Sequence, residues 1–279
     1  MEMQSRTVGD IPMRWHERGT GVPLVLIHGI PTGPELWRDV LPRIDGARCL
    51  AWEMVGYAGS MHAGKGRDIS VASQADYLVE WMDTLGIGRA IFAGHDLGGG
   101  VAQIAAVRHP ERCAGLFLTN TICYDSWPIP SVKPLRAARG VVRHLPDAFL
   151  KAVMTTMFQH GHDNAAKARV ALEVHFPPYR ENGGMAALAR QVAALDVRDT
   201  EAVAPGLPHL GVPARICWGA ADQFQKIQYG ERLARDLSAP LRRIEGGKHF
   251  TPEDHPAILA EEINTLVTTV SAAPPVRQA

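Results

Sequence analysis

The stretch AIFAGHDLGGGVAQIAAVRHP, residues 90–110, decides how the rest of the chain is read. An apolar run, Ala90 to Ala93, meets a turn of small residues, and a helical pattern follows at Val101, Ile104, Ala105 and Val107. That is a strand, a sharp turn and a helix in direct succession. Gly94 and Gly98 let the backbone turn tightly enough to push the side chain between them outward. The residue at the apex is Asp96. A helix N-cap also favours aspartate, so the turn alone leaves a structural role open.

Outward from this point, strand-like runs alternate with helix-like segments, the pattern of an α/β sheet. PLVLIHG (23–29) reads as a buried strand, followed by a helix around PELWRDVLPRI. RCLAWEM (48–54), GLFLTN (115–120), ARICWG (214–219) and LRRIEG (241–246) are further strands. SVASQADYLVEWMDTLGI (70–87) places Val71, Ala75, Leu78, Val79, Met82 and Leu85 at helical spacing. AILAEEINTLVTTV closes the chain as an amphipathic helix. Between residues 121 and 210 the strand signal vanishes. DAFLKAVMTTMF, NAAKARVALEVHF and GMAALARQVAAL read as helices there, far more chain than a simple crossover needs. The organisation expected is therefore a core over 1–120, a helical lid over 121–210, the rest of the core over 211–270, and a disordered tail at 271–279.

The bulk composition narrows the partners. The 279 residues contain 29 Lys plus Arg against 29 Asp plus Glu, with 46% hydrophobic residues. Without a basic excess, nucleic acid and anionic membranes are not expected partners, and a small hydrophobic organic molecule is. The oligomeric state stays open between monomer and homodimer. No secretory signal is evident near the start, and no run is long enough to span a bilayer. Cys49, Cys113, Cys123 and Cys217 lack any paired spacing and read as buried free thiols, so a cytoplasmic setting is expected. The 12 histidines show no metal-ligand spacing, and the glycines at 94 and 98–100 suit the turn better than a dinucleotide, so neither a metal nor a cofactor is expected.

Two other residues share the position of Asp96 at the carboxyl end of a strand. Asp222 follows the strand at 214–219, and His249 follows the last strand in IEGGKHFTPEDHP. The chain order is nucleophile, acid, histidine, an order used by one large hydrolase architecture. With HGIPTGPELWRDVLP, GYAGS, GHDLGG, HPERCAGLFL, WGAADQF and GGKHF, the chain resembles α/β-hydrolases of the branch containing epoxide hydrolases and haloalkane dehalogenases, from about residue 12 to 270. The resemblance implies a mostly parallel eight-stranded-type sheet flanked by helices, with the lid inserted between two strands. It also implies roles: Asp96 as nucleophile, His249 as general base, and Asp222 as the acid orienting it. The backbone N–H groups of Ile30 and Leu97 form the oxyanion hole.

A carboxylate nucleophile suits displacement at a saturated carbon, because attack on an acyl carbon would give an anhydride. The leaving group is harder to read. Haloalkane dehalogenases hold halide with a tryptophan beside the nucleophile and often an asparagine, where this chain has Leu97 and Ile30. Fluoroacetate dehalogenases carry arginines near the elbow, where Leu97 and Gly100 stand. Epoxide hydrolases share the His-Gly-x-Pro of HGIP and use lid tyrosines, for which Tyr124 and Tyr179 are the candidates; Trp127 and Trp37 are further candidates for the cavity. The expectation is epoxide hydrolysis first and carbon–halogen hydrolysis second. A non-hydrolytic ligand binder or cofactor-free rearrangement catalyst is the alternative of another class.

Overall fold

The computed structural model describes residues 2–128 and 132–272. Its eight strands are β1 (Met3–Val8), β2 (Ile11–Arg18), β3 (Val22–Ile27), β4 (Ala47–Glu53), β5 (Ala90–Asp96), β6 (Cys113–Thr121), β7 (Ala214–Gly219) and β8 (Leu241–Ile244). They form one sheet in the order β1-β2-β4-β3-β5-β6-β7-β8. The pairs β1–β2 and β2–β4 are antiparallel, and every other pair is parallel. The central strands read as unbroken apolar runs because both their faces are covered, and all seven residues of β5 are buried.

The antiparallel hairpin of β1 and β2 was not expected from the sequence. Val8 pairs with Ile11 across the two-residue turn Gly9-Asp10, with Gly9 at φ 59°. Ile11, Met13 and Trp15 point inward between more exposed neighbours, the alternation of a strand with one wet face. Charged residues on that outer face hide the strand from a search for apolar runs. The helix expected around PELWRDVLPRI is corrected to two short 3₁₀ turns, Pro34–Trp37 and Leu41–Arg43. Pro42 lacks the N–H that a continuous helix would use there.

Helix α1 (Val71–Thr84) is capped by Ser70, whose hydroxyl accepts from the Ser73 N–H at 3.2 Å. It buries Leu78, Trp81 and Met82 against the sheet, with the Trp81 ring 5.5 Å from Trp15 and 6.0 Å from Trp52. Helix α2 (Leu97–Arg108) starts directly at the turn after β5. Between β6 and β7 the described chain is helical: α3 (Val132–Ala137), α4 (Arg139–Val142), α5 (Asp147–Gly161), α6 (Ala165–Glu181), α7 (Gly184–Ala193) and α8 (Arg198–Glu201). Helix α9 (Ile227–Asp236) links β7 to β8, and α10 (Thr251–Asp254) and α11 (Pro256–Ala272) follow. Ser271 and Ala272, expected in a disordered tail, are the last turn of α11; residues 273–279 lie outside the described residues. All four cysteines are buried and free. No helix among the described residues is long and apolar enough to cross a membrane.

Candidate active site

Asp96 ends β5 with φ 51° and ψ −122°, a conformation that costs an L-residue on the order of 1–3 kcal/mol. The surroundings enforce it. A Cβ on Gly94 would lie 2.4 Å from Gly99 Cα, and one on Gly98 would lie 2.2 Å from the Ile27 carbonyl oxygen. The Asp96 carbonyl accepts from the Thr121 hydroxyl at 2.8 Å and from the Ile122 N–H at 3.2 Å. The side chain makes no capping hydrogen bond to α2, which sets the N-cap reading aside.

Instead Oδ1 accepts from the Ile30 N–H at 2.9 Å. Burial pushes the Asp96 carboxyl above its ordinary value; His249 and the N–H groups of Leu97 and Ile30 pull the other way without cancelling it. The other oxygen, Oδ2, lies 3.7 Å from His249 Nε2, a charge contact too long for a hydrogen bond. His249 Nδ1 in turn sits 2.8 Å from Asp222 Oδ2. Burial pushes the His249 imidazole down, but the charge and hydrogen bond of Asp222, joined by the charge of Asp96, hold it above its ordinary value. The structure thus brings Asp96, Asp222 and His249 together from the ends of three strands.

Asp222 is itself held. Asp222 Oδ1 accepts from the N–H groups of Phe224 and Gln225 at 2.7 and 3.1 Å, and Oδ2 accepts from Asn120 Nδ2 at 2.7 Å. The Asn120 oxygen receives the Gly219 N–H at 3.0 Å and the Thr251 hydroxyl at 3.1 Å. Sequence reasoning missed Asn120, although its signal is visible: a buried-strand run that ends in the polar letters TNT. His95 and Gly161 fix the backbone of His249. His95 Nε2 is 2.9 Å from the His249 carbonyl oxygen, and the Gly161 carbonyl accepts from the His249 N–H at 2.9 Å.

Asp96, His249 and Gln225 line a cavity of about 50 Å³ whose remaining wall is apolar: Ile30, Leu97, Ile122, Trp127, Pro128, Met157, Leu195, Phe224 and Phe250. Of the four expected substrate contacts, only Trp127 is on this wall, and its indole N–H already donates to the Thr200 hydroxyl at 2.6 Å. The other three expectations are corrected. Trp37 is fully buried in a core cluster with Leu24, Leu26 and Leu36. Tyr124 donates its hydroxyl to Asp236 at 2.7 Å and stacks under Arg232. Tyr179 is buried and donates to Gln191 Oε1 at 2.6 Å. Met157 of α5 reaches the cavity, whereas Met154 lies in a core cluster. Among the described residues, no hydroxyl side chain lines it and no group of three His, Cys, Asp or Glu is placed to hold a metal ion.

A model of the alpha/beta hydrolase fold family matches residues 22–256, most of the chain and all three convergent residues. The chain belongs to the α/β-hydrolase fold family. As a member of this family it is similar to haloalkane dehalogenase 2 of Mycobacterium tuberculosis, with 26% identity over 88% of each chain. It is also similar to bifunctional epoxide hydrolase 2 of Rattus norvegicus, with 31% identity over 47% of this chain and 24% of that protein. A solved α/β-hydrolase fold protein from Burkholderia ambifaria superposes with a TM-score of 0.84 at 24% identity, covering 92% of this chain and 96% of that one. These relatives make this α/β-hydrolase an enzyme of the hydrolase class.

Proposed function

We propose that the protein hydrolyses a bond between a saturated carbon and a leaving group through an ester on Asp96. The observation that carries this reading is the carboxylate at the elbow, with Oδ1 held at the Ile30 N–H and Oδ2 beside His249 in an apolar cavity. Oδ2 forms a bond to the substrate carbon, and the electron pair of the broken bond leaves with the departing group. Water then adds to Asp96 Cγ and gives its proton to His249 Nε2. The oxyanion forms on Oδ1, where the N–H groups of Ile30 and Leu97 receive it. Collapse breaks the bond between Cγ and the alkyl oxygen, and the alcohol leaves with the proton from His249. The segment between β6 and β7 acts as a cap, supplying Met157 of α5 and Leu195, between α7 and α8, to the wall.

The wall favours a leaving group that departs as an anion without a proton, which is a halide. An epoxide opens to an alkoxide that needs an acidic donor, and the cavity presents no hydroxyl among the described residues. A second reading, epoxide opening, is supported by the similarity to bifunctional epoxide hydrolase 2 of Rattus norvegicus. Burial and then the charge of Asp96 push the Tyr57 phenol up, which makes it a weaker acid and counts against that side chain as the proton donor. The substrate is a small hydrophobic molecule, since about 50 Å³ is well below the ~150 Å³ cavity that accepts benzene. The test is intact-protein mass spectrometry of His249→Gln after exposure to 1-bromopropane or propylene oxide. The expected result is one stoichiometric alkyl adduct on Asp96, absent in Asp96→Asn, which loses turnover by at least ~10³-fold. A fully active Asp96→Asn enzyme would end the proposal.

A further inference from the structure

The chain is neutral overall, with 29 Lys plus Arg against 29 Asp plus Glu, so its bulk charge gives no reason to expect an anionic partner. The distribution of charge on the cap does. Between residues 136 and 151 stand Arg136, Arg139, Arg143 and Lys151, with Asp147 as the one acid. Arg139, Arg143 and Lys151 are exposed, and among the described residues none of them pairs with a carboxylate. Arg139 Nη1 reaches the Arg136 carbonyl at 3.4 Å, Arg143 Nε the His144 imidazole at 2.9 Å, and Lys151 Nζ the Phe176 ring at 5.8 Å. On the core, by contrast, Arg38, Arg48, Arg112 and Arg215 all meet carboxylates.

The same part of the molecule leaves its large apolar side chains in water. Among the described residues these are Val141 at 70%, Phe149 at 44% and Val170 at 41% exposure, and they stand on α4, α5 and α6. Helices α4 and α5 both pack on α7, and α6 packs on α5, so their free sides face outward together. A single exposed apolar side chain is ordinary. Gathered beside unpaired cations, such side chains form the pattern of a surface that lies on a bilayer. The apolar groups enter the interface, and Arg and Lys meet anionic headgroups.

An open cleft adjoins this face, lined by Arg136, Arg139, Asp125, Glu201, Trp127 and Pro128 among others. Trp127 and Pro128 also belong to the wall around Asp96, so these two side chains separate the cleft from the catalytic cavity. That placement favours a lipid surface over an acidic protein. A small hydrophobic molecule concentrates in a bilayer, and the cleft lies between the basic face and the cavity that would take it.

We infer that the outer face of α4, α5 and α6, around Val141 and Phe149, docks on an anionic membrane surface. The contact is peripheral and salt-dependent, because exposed charges are screened beyond about 10 Å at ~0.1 M salt. The docking itself does not depend on the chemistry at Asp96.

The test is sedimentation of the full chain with vesicles of phosphatidylcholine, alone or mixed equally with phosphatidylserine. Binding to the mixed vesicles is expected to exceed that to phosphatidylcholine by at least roughly tenfold at low salt, and to vanish near about 0.5 M salt. Arg139→Gln with Arg143→Gln is expected to weaken it roughly 25-fold, about fivefold for each cation, with Tm unchanged because both side chains are exposed. A label reports what covers the face. All four native cysteines are buried, so Phe149→Cys takes an environment-sensitive fluorophore selectively. Its emission is expected to shift to the blue on mixed vesicles, while the same label on Thr268→Cys of α11, outside the cap, keeps its emission. No binding to mixed vesicles at low salt, or binding unchanged in the double arginine variant, would overturn the assignment. A blue shift at position 149 that follows protein concentration without vesicles would make a second copy the occupant and overturn it as well.

Discussion

At the scale of single residues, the charges of Asp96 and His249 are coupled through 3.7 Å between His249 Nε2 and Asp96 Oδ2. Under the proposed ester mechanism that coupling changes during the cycle. In the free enzyme the Asp96 charge helps hold the His249 imidazole above its ordinary value, after burial and Asp222 have acted. Esterification removes the charge, so the pKa of His249 falls at the stage where a neutral base is needed. Hydrolysis of the isolated alkyl-enzyme should therefore persist to lower pH than the imidazole titration of the free enzyme allows. Alkylation, which needs ionised Asp96, should fade as pH falls through a carboxyl pKa lying above the usual range. Single-turnover rates against pH, beside an NMR titration of His249, check both signs. Coincident midpoints for hydrolysis and for the free imidazole would contradict the coupling.

The three convergent residues were legible because each follows a strand signal. Gln225 was not, since a glutamine in DQFQ is an ordinary surface letter until its burial is known. The tyrosines misled for the converse reason. A phenol in the inserted region says nothing about whether its hydroxyl faces the cavity or, as Tyr124 and Tyr179 do, another side chain.

At the scale of elements, the helices between β6 and β7 are fastened to the core beside His249. His162, just past α5, stacks on Phe250 with centroids 4.7 Å apart. His162 and His175 are both buried. His162 Nδ1 lies 3.0 Å from Asp254 Oδ1, and its Nε2 is 3.2 Å from Glu253 Oε2 as a charge contact without hydrogen-bond alignment. Glu253 also meets His175 at 3.1 Å and Arg38. Burial alone would raise the Glu253 carboxyl, yet His175, His162 and Arg38 hold it well below the usual range. For His162, burial is outweighed by Asp254 and Glu253, and its pKa is raised.

Removing one member of a buried ion cluster leaves its partners unpaired and typically costs about 3–5 kcal/mol. Glu253→Gln should lose that much in urea unfolding at about pH 6. The contribution of His162 is full below its unfolded pKa and fades as pH rises through the higher folded one. The deficit should accordingly be smaller at about pH 9. A deficit under about 1 kcal/mol at both values would mean that the cluster does not fasten the helices. None of this was readable from periodicity, because HDN and TPED lie far apart in sequence and resemble helix caps.

At the scale of the whole molecule, the strand ends of one sheet bring Asp96, Asp222 and His249 together, and the segment between β6 and β7 adds Met157 and Leu195 to the cavity wall. The parallel strands were readable because burial on both faces leaves apolar runs. The β1–β2 hairpin was hidden by its wet face, and the turns at Pro34–Trp37 and Leu41–Arg43 by helix-like spacing that Pro42 interrupts. The central claim concerns the assembled molecule, since Asp96, His249 and the two backbone donors must act in sequence on one substrate. Its most direct test is a single turnover of excess enzyme on 1-bromopropane in water enriched in heavy oxygen. The account predicts that the label enters the Asp96 carboxylate and that the propanol of that first turnover carries ordinary oxygen. Heavy oxygen in the first propanol, with none on Asp96, would contradict it.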